Sequence, residues 1–313
     1  MTYGSVASLD DVPRYLAAVR GREPTDELVA EFRRRYAVIR GSPLIEITNA
    51  QATALEQRLG GEMPVRAGMR FSSPTIAAQL AELARLGATQ VIAIVMSPQF
   101  SELLMGGYAR ALDTARAELG EHAPEVALAG AWHLEPSFLE ALARRIRDAL
   151  ASYPAEDRDD VPVLLTAHSL PRRVAEQEPD YIKQLQETAA AVARLAGLGQ
   201  DQWRFCWQSA GHEPGEWMKP DFADLMPELA AAGHRSVLVA PVQFLADHLE
   251  ILYDVDIGAR EQAEAAGLRF KRIESLNVDG HFIEALANVA LRESGLGLRE
   301  EELELDRAVI GDR

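Results

Sequence analysis

The stretch VPVLLTAHSLP, Val161–Pro171, opens as an unbroken apolar run and stops abruptly at His168, Ser169 and a proline. A short apolar run bounded by turn residues reads as a strand buried on both faces, the kind that builds parallel sheets. In open α/β sheets, ligands bind outside the carboxyl ends of the strands. An imidazole placed where such a strand stops is rigidly held and faces that ligand side. Neutral imidazole is both a base near neutral pH and a metal ligand. The plain structural alternative is a histidine hydrogen-bonded within a turn.

The surroundings of this run repeat its character. PVRAGMRF (64–71), QVIAIVM (90–96), VALAG (126–130), RFCWQS (204–209) and SVLVAPV (236–242) read as further strands. Between them lie amphipathic stretches such as TIAAQLAELARLG (75–87), SFLEALARRIRDALASY (137–153) and PDYIKQLQETAAAVARLAG (179–197). The first and last end in Gly87 and Gly197, the residue type that caps helix C-termini. Strand–helix alternation of this kind predicts an α/β fold whose parallel sheets are covered on both faces. The halves also echo each other: VIAIVMSPQFSELL (91–104) is similar to SVLVAPVQFLADHL (236–249), and MTYGS (1–5) to LTAHSLP (165–171). Two similar lobes facing a cleft are therefore expected, with the change of lobe near the polar, proline-bearing YPAEDRDDVP (153–162). The assignment is 1–146 for the first lobe, 147–300 for the second and 301–313 for a tail.

Composition narrows the function. A formal net charge of −16 over 313 residues argues against nucleic acid as a partner, which needs a basic footprint. The one cysteine, Cys206, supports neither an internal disulfide nor an iron–sulfur cluster, and reads as a small core residue. The start of the chain lacks the basic and apolar regions of a signal peptide. Its apolar runs are far shorter than the roughly 20 residues that span a bilayer. The expectation is a soluble, cytoplasmic protein without stable membrane insertion. No glycine-rich phosphate loop and no G-x-S-x-G elbow occur, so neither a nucleotide cofactor nor a serine hydrolase is supported.

A second candidate position is PVQFLADHLEILYDVD (241–256). A strand ending at Pro241–Val242 is expected to give way to a helix from Leu245 or Ala246, with Asp247, Glu250, Asp254 and Glu261 roughly on one face. The helix dipole favours carboxylates in its first turn, which accounts for Asp247 and Glu250 but not for Asp254. A file of carboxylates beginning at a cleft can carry a divalent cation or accept protons. His248 falls off this face. His122, His212, His234 and His281 read as solvated, and His133, after VALAGAW, as a cleft residue. No H-E-x-x-H or paired Cys/His array implies a closed zinc site.

Taken in order, TAHSLP (166–171), EPDYIKQLQETAAAVA (178–193), CWQSAG (206–211), EWMKPDFADLMPEL (216–229), VLVAPVQFLADHLEILYDVD (237–256) and LNVDGHFIEALA (276–287) resemble the ferrochelatase family. MTYGS, RYAVI, GSPL and MSPQFS agree in the first half. The resemblance implies a chelatase-like fold of two Rossmann-like lobes and insertion of ferrous iron into a porphyrin bound in the cleft between them. It implies that His168 and Glu250 are the catalytic pair and ligands for the incoming metal, with Asp254 a further member of the acidic row. It places Tyr3, Arg20, Arg22 and Ser42 at the porphyrin, with Arg33, Arg34 and Arg35 as further cations for its carboxylates. Fe²⁺ would be a substrate rather than a resident cofactor, and a downstream haem-pathway enzyme would receive the product. WQSAGHEPGEW (207–217) is similar to the soluble, monomeric bacterial enzymes that act on coproporphyrin III, so that ring is favoured. Protoporphyrin IX, a cobalt- or nickel-inserting chelatase of the same fold, and a non-catalytic porphyrin- or haem-binding protein stay open as alternatives.

The chain departs from the family pattern in three places. Only Met1 and Thr2 precede Tyr3, where family members carry a full strand; either the first strand is truncated or, as is expected here, the start lies upstream of Met1. Gly258 stands where the family commonly has an acid, with Glu261 as the nearest substitute. IRGSPL (39–44) is a residue shorter than the usual glycine-rich form.

Overall fold

The computed structural model describes residues 1–211 and 215–295. His212 and the tail at 301–313 lie outside the described residues. The elements run α1 (Val12–Arg20), α2 (Asp26–Val38), α3 (Leu44–Arg58), α4 (Ile76–Arg85), β1 (Gln90–Ala93), α5 (Glu102–Leu119), β2 (Glu125–Leu128) and α6 (Pro136–Ala151). They continue with β3 (Val163–His168), α7 (Arg172–Gln177), α8 (Pro179–Ala196), β4 (Trp203–Gln208), α9 (Phe222–Ala231), β5 (Ser236–Pro241), a π-helix (Glu250–Ala259), α10 (Arg260–Ala265), β6 (Arg269–Arg272) and α11 (Gly280–Glu293).

Two parallel sheets result, both flanked by helices. The second has the order β4-β3-β5-β6 and the first pairs β1 with β2. Backbone bonds extend the first sheet: Met96 N–H donates to Met1 O at 2.9 Å, Thr2 N–H to Gly68 O at 3.1 Å and Phe71 N–H to Tyr3 O at 3.0 Å. Met1–Tyr3 thus lies between 68–71 and 94–96, and Tyr3 emerges at the carboxyl edge of its sheet. His168 emerges at the same edge of the other.

Local chemistry sets the helix ends. Thr25, Thr75, Ser101 and Asp221 accept the orphan N–H groups of α2, α4, α5 and α9. Gly197 closes α8 in the left-handed region at φ 75°. The continuous apolar run in β3 is explained by its two faces. Val163 and Leu165 join the cluster of Phe138, Leu142, Ile146, Val192 and Phe282, while Leu164 joins Met226, Ile251, Val255 and Phe270. Cys206 is buried in that second cluster, as its core reading requires, and burial pushes its thiol pKa up. Truncating Leu164 to alanine would cost about 2–5 kcal/mol, the price of a lost side chain plus the cavity left behind.

Three expectations are corrected. PVRAGMRF is not a regular strand: only Gly68–Phe71 pairs, with Thr2 and Tyr3, and Met69 bridges Thr2 and Thr75. β6 was not foreseen, since RFKR buries only Phe270 and carries the charged residues typical of an edge strand. The helix after β5 begins at Leu249 rather than Leu245. Residues 245–247 are instead laced to Asn277: Asn277 N–H donates to Leu245 O and Asp247 N–H to Asn277 Oδ1, both at 2.9 Å.

Candidate active site

β3 lies between β4 and β5, so its final residue is braced on both sides. His168 N–H donates to Gln243 Oε1 at 2.8 Å, and Gln243 in turn donates to the Tyr181 hydroxyl of α8. Ser169 N–H returns to Gln208 O at 2.7 Å, fixing the turn. His168 Nδ1 meets the Ser169 carbonyl at 2.5 Å. A carbonyl only accepts, so Nδ1 is the donor of this contact and Nε2 is the ring nitrogen left for the cleft. That nitrogen faces Glu250 Oε1 at 3.7 Å. An imidazole stands at the end of this strand because the strand end fixes its backbone, its tautomer and its direction together.

Glu250 opens the π-helix. Its second oxygen lies 3.3 Å from His248 Nε2, while His248 Nδ1 meets Ala246 O at 2.9 Å. Both ring nitrogens of His248 therefore face acceptors, an arrangement that the imidazolium alone satisfies. Burial opposes its charge, but the Glu250 hydrogen bond and carboxylate outweigh burial and raise the pKa. Burial likewise works against the Glu250 charge, yet the neighbouring His168 and His248 hold its carboxyl at about 2. Phe244 separates the two imidazoles, with ring centroids 6.3 Å from His168 and 4.9 Å from His248.

Asp254 follows on the same side of the π-helix. Its pKa is raised, foremost by burial and further by Glu250, against the pull of the Ser209 hydroxyl, Arg35 and His168. The expected row of four acids is broken up. Asp247 turns away to Arg272, Ser275 and Asn277, and Glu261 is exposed on α10. Glu250 and Asp254 remain together, and Gly258 adds no donor. The i→i+5 winding and the non-helical entry explain the difference, because a 3.6-residue period does not apply here.

The first lobe covers this side. Leu249 packs into the cluster of Val6, Val12, Leu16 and Tyr36. Tyr15 and Tyr36 have pKa values raised by burial above all, with Glu250 among the contributing charges. Tyr3 is exposed, 5.2 Å from the Phe71 ring and 6.0 Å from Tyr108. The Arg70 guanidinium sits over all three rings at 4.5–5.2 Å and, among the described residues, makes no ion pair.

Arg20 ends α1 before Gly21, and Arg22 is exposed just beyond. Neither side chain has a hydrogen bond or ion pair among the described residues. Ser42 Oγ accepts Leu44 N–H at 3.4 Å at the start of α3. Arg33, Arg34 and Arg35 are engaged: Arg33 with Leu9 O, Arg34 with Glu31 and the Tyr253 hydroxyl, and Arg35 with Glu31 and, at 3.7 Å, Asp254. The contacts of Arg34 and Arg35 tie α2 to the π-helix.

His133 does not join His168; it pairs with Glu187 of α8 at 3.0 Å. His122 and His281 are exposed, and His234 bonds Asp160 O at 3.0 Å. His248 and Arg70 were missed in the sequence. A histidine two residues before the acid was the available signal for the first, while nothing local marked the second. Among the described residues no three His, Cys, Asp or Glu side chains gather into a closed metal cage, and no helix is long and apolar enough to cross a membrane.

Comparison with known proteins identifies the family of the chain. The family model for ferrochelatase matches residues 1–294. The chain is 38% identical to the ferrochelatase of Deinococcus radiodurans over 299 residues, covering 94% of each chain. It is 34% identical over 300 residues to the coproporphyrin III ferrochelatase of a Geobacillus species, covering 93% of this chain and 96% of that one. Among solved structures, the cobalt complex of the sirohydrochlorin chelatase SirB from Bacillus subtilis subspecies spizizenii shares the fold, with a TM-score of 0.54 at 12% identity over 79% of this chain and 91% of the other. By its sequence, the chain belongs to the ferrochelatase family.

Proposed function

We propose that this chelatase inserts Fe²⁺ into coproporphyrin III, with His168 and Glu250 as the catalytic pair. The observation that carries the reading is the 3.7 Å approach of His168 Nε2 to Glu250 Oε1. Metallation removes two pyrrole protons and delivers a cation to the ring centre. An imidazole nitrogen and an ionised carboxylate side by side supply a proton acceptor and a cation ligand. Two donors bind a divalent ion weakly enough to release it to the porphyrin, whereas a closed four-ligand site would keep it. Asp254 extends the path for Fe²⁺ toward Glu250.

Tyr3 is the aromatic that packs on the ring, and Arg20, Arg22 and Ser42 hold its carboxylates. Three cations without acidic partners among the described residues, Arg20, Arg22 and Arg70, favour the four-carboxylate ring over the two-carboxylate one, as does the likeness to enzymes named for coproporphyrin III. Fe²⁺ is a substrate and no cofactor resides in the protein; buried Cys206 cannot anchor an iron–sulfur cluster by itself. The division into lobes is 1–146 and 147–300, with the boundary inside α6. The enzyme works in the cytoplasm and hands its product to the next haem-pathway enzyme.

The test is anaerobic incubation with Fe²⁺ and either coproporphyrin III or protoporphyrin IX, followed by metalloporphyrin absorbance, with His168→Ala and Glu250→Gln alongside. Faster coproporphyrin turnover that both variants abolish supports the proposal. Faster protoporphyrin turnover replaces the substrate, and a preference for Co²⁺ or Ni²⁺ replaces the metal. Tight porphyrin binding with no turnover, indifferent to His168→Ala, makes the protein a porphyrin carrier.

A further inference from the structure

We propose that Arg272 is a positioning residue for this chemistry: it clamps both ends of the segment that carries Glu250 and Asp254. The proposal rests on the chelatase reading above. Arg272 ends β6, and its side chain is 13% exposed. Nε and Nη2 take the two oxygens of Asp256 at 2.7 and 2.9 Å. Nη2 also reaches Asp247 Oδ1 at 3.3 Å. Nη1 donates to Ile273 O at 2.8 Å and to Ser275 Oγ at 3.1 Å. One planar fork thus holds a carboxylate before Glu250 and another after Asp254.

The Asp247 end is secured independently. Ser275 Oγ donates to Asp247 Oδ1 at 2.7 Å and Asn277 Nδ2 to Oδ2 at 2.9 Å. Asn277 is anchored in turn, because its carbonyl accepts Gln51 Nε2 of α3 at 2.7 Å. The network reaches from the first lobe's helix to the π-helix with no hydrogen bond to the side chains of His168, His248 or Glu250 among the described residues.

A clamp is needed here for a physical reason. A π-helix is rare and usually limited to single turns, so its winding is not fixed by ordinary helix propensity. The entry at 245–248 is non-helical, and without the guanidinium two acids at the ends of the segment would face each other unneutralised. A lysine keeps the charge but not the fork, so it can serve one carboxylate at a time. Displacing a catalytic group by about 1 Å can cost roughly 100-fold in rate.

The experiment compares wild type, Arg272→Lys and Asp256→Asn in the full chain. It reads amide hydrogen exchange over 249–257, kcat and KM for Fe²⁺, and coproporphyrin III affinity by fluorescence quenching. In Arg272→Lys we expect exchange over 249–257 to rise about tenfold while β3 and β5 stay protected, and kcat to fall about tenfold with porphyrin affinity within about twofold, the split expected when positioning and not binding is lost. Asp256→Asn should move the same quantities less, and it keeps the test open if Arg272→Lys does not fold. Unchanged exchange overturns the clamp, and faster exchange with unchanged kcat overturns its catalytic role. A wild type that metallates neither coproporphyrin nor protoporphyrin sinks the chelatase reading and the catalytic role with it, while the exchange data still decide the clamp.

Discussion

Gln243 Oε1 accepts the backbone N–H of His168 at 2.8 Å, from a turn at the end of the neighbouring strand. The pairing of β3 with β5 stops at Thr166 and Pro241, so a side chain continues the ladder where the backbone cannot. At the matching turn of the first lobe the Gln99 side chain braces no strand end among the described residues but donates to Thr188 of α8 at 3.0 Å, and the adjacent Phe100 N–H reaches Gln184 of the same helix at 2.7 Å. Both Gln-Phe turns thus dock on one helix, which gives the faint sequence echo a structural meaning. Gln243→Ala leaves the His168 N–H without its partner and should cost about 1–3 kcal/mol. Thermal melting measures that, and kcat should fall with it because His168 loses its brace. Unchanged kcat in a destabilised protein would show that the brace serves folding only.

The His248–Glu250 pair should leave a signature in stability against pH. Glu250 is held at about 2, below its ordinary 4.5, so its contribution is complete above 4.5 and lost as pH falls toward 2. His248 is raised above 6.5, so its contribution is complete below 6.5 and lost as pH climbs through its folded value. Both contributions are complete between 4.5 and 6.5. His248→Phe should lower stability most in that window, by a modest amount because Glu250 is partly open to solvent. Urea melts across pH for the two proteins check this; a pH-independent difference would mean that the pair is not coupled.

The same substitution should be visible in catalysis. Removing the imidazolium beside Glu250 lets its carboxyl pKa rise, so the acid limb of the kcat/KM profile should move to higher pH. An acid limb that stays in place would assign it to a group other than Glu250.

Asp254→Asn should weaken the delivery of iron rather than the grip on the ring. It removes one of two carboxylates on the cleft side of the π-helix and weakens the 3.7 Å contact to Arg35, which keeps Glu31. KM for Fe²⁺ should rise several-fold while coproporphyrin affinity holds. An unchanged KM for Fe²⁺ would take Asp254 off the metal's route.

Gly107 makes room for Arg70. A Cβ there would stand 2.2 Å from the Arg70 guanidinium, so Gly107→Ala must push that flexible side chain out of its aromatic cage. Coproporphyrin affinity should fall several-fold with little change in melting temperature, and Arg70→Ala should match it. Full affinity in both variants would remove Arg70 from the binding surface.

Much of this protein was decided along the chain. The continuous apolar runs of β3 and β5 required burial on both faces, and hence parallel sheets between helices. A histidine at the end of one such strand was already a directed group. The ordered motifs from TAHSLP to LNVDGHF carried the family. Tertiary structure decided what periodicity could not. A 3.6-residue repeat drew Asp247, Glu250, Asp254 and Glu261 as one file, but Asp247 satisfies its lone pairs on Arg272, Ser275 and Asn277, and a π-helix follows. His248 became Glu250's partner only once the entry to that helix was bent. Arg70 gained its cage from rings at positions 3, 71 and 108, brought together by sheet pairing and α5. Burial patterns are written locally because each strand and helix has its own period; charge partnerships are made between segments distant in sequence, so they appear only when the chain has folded.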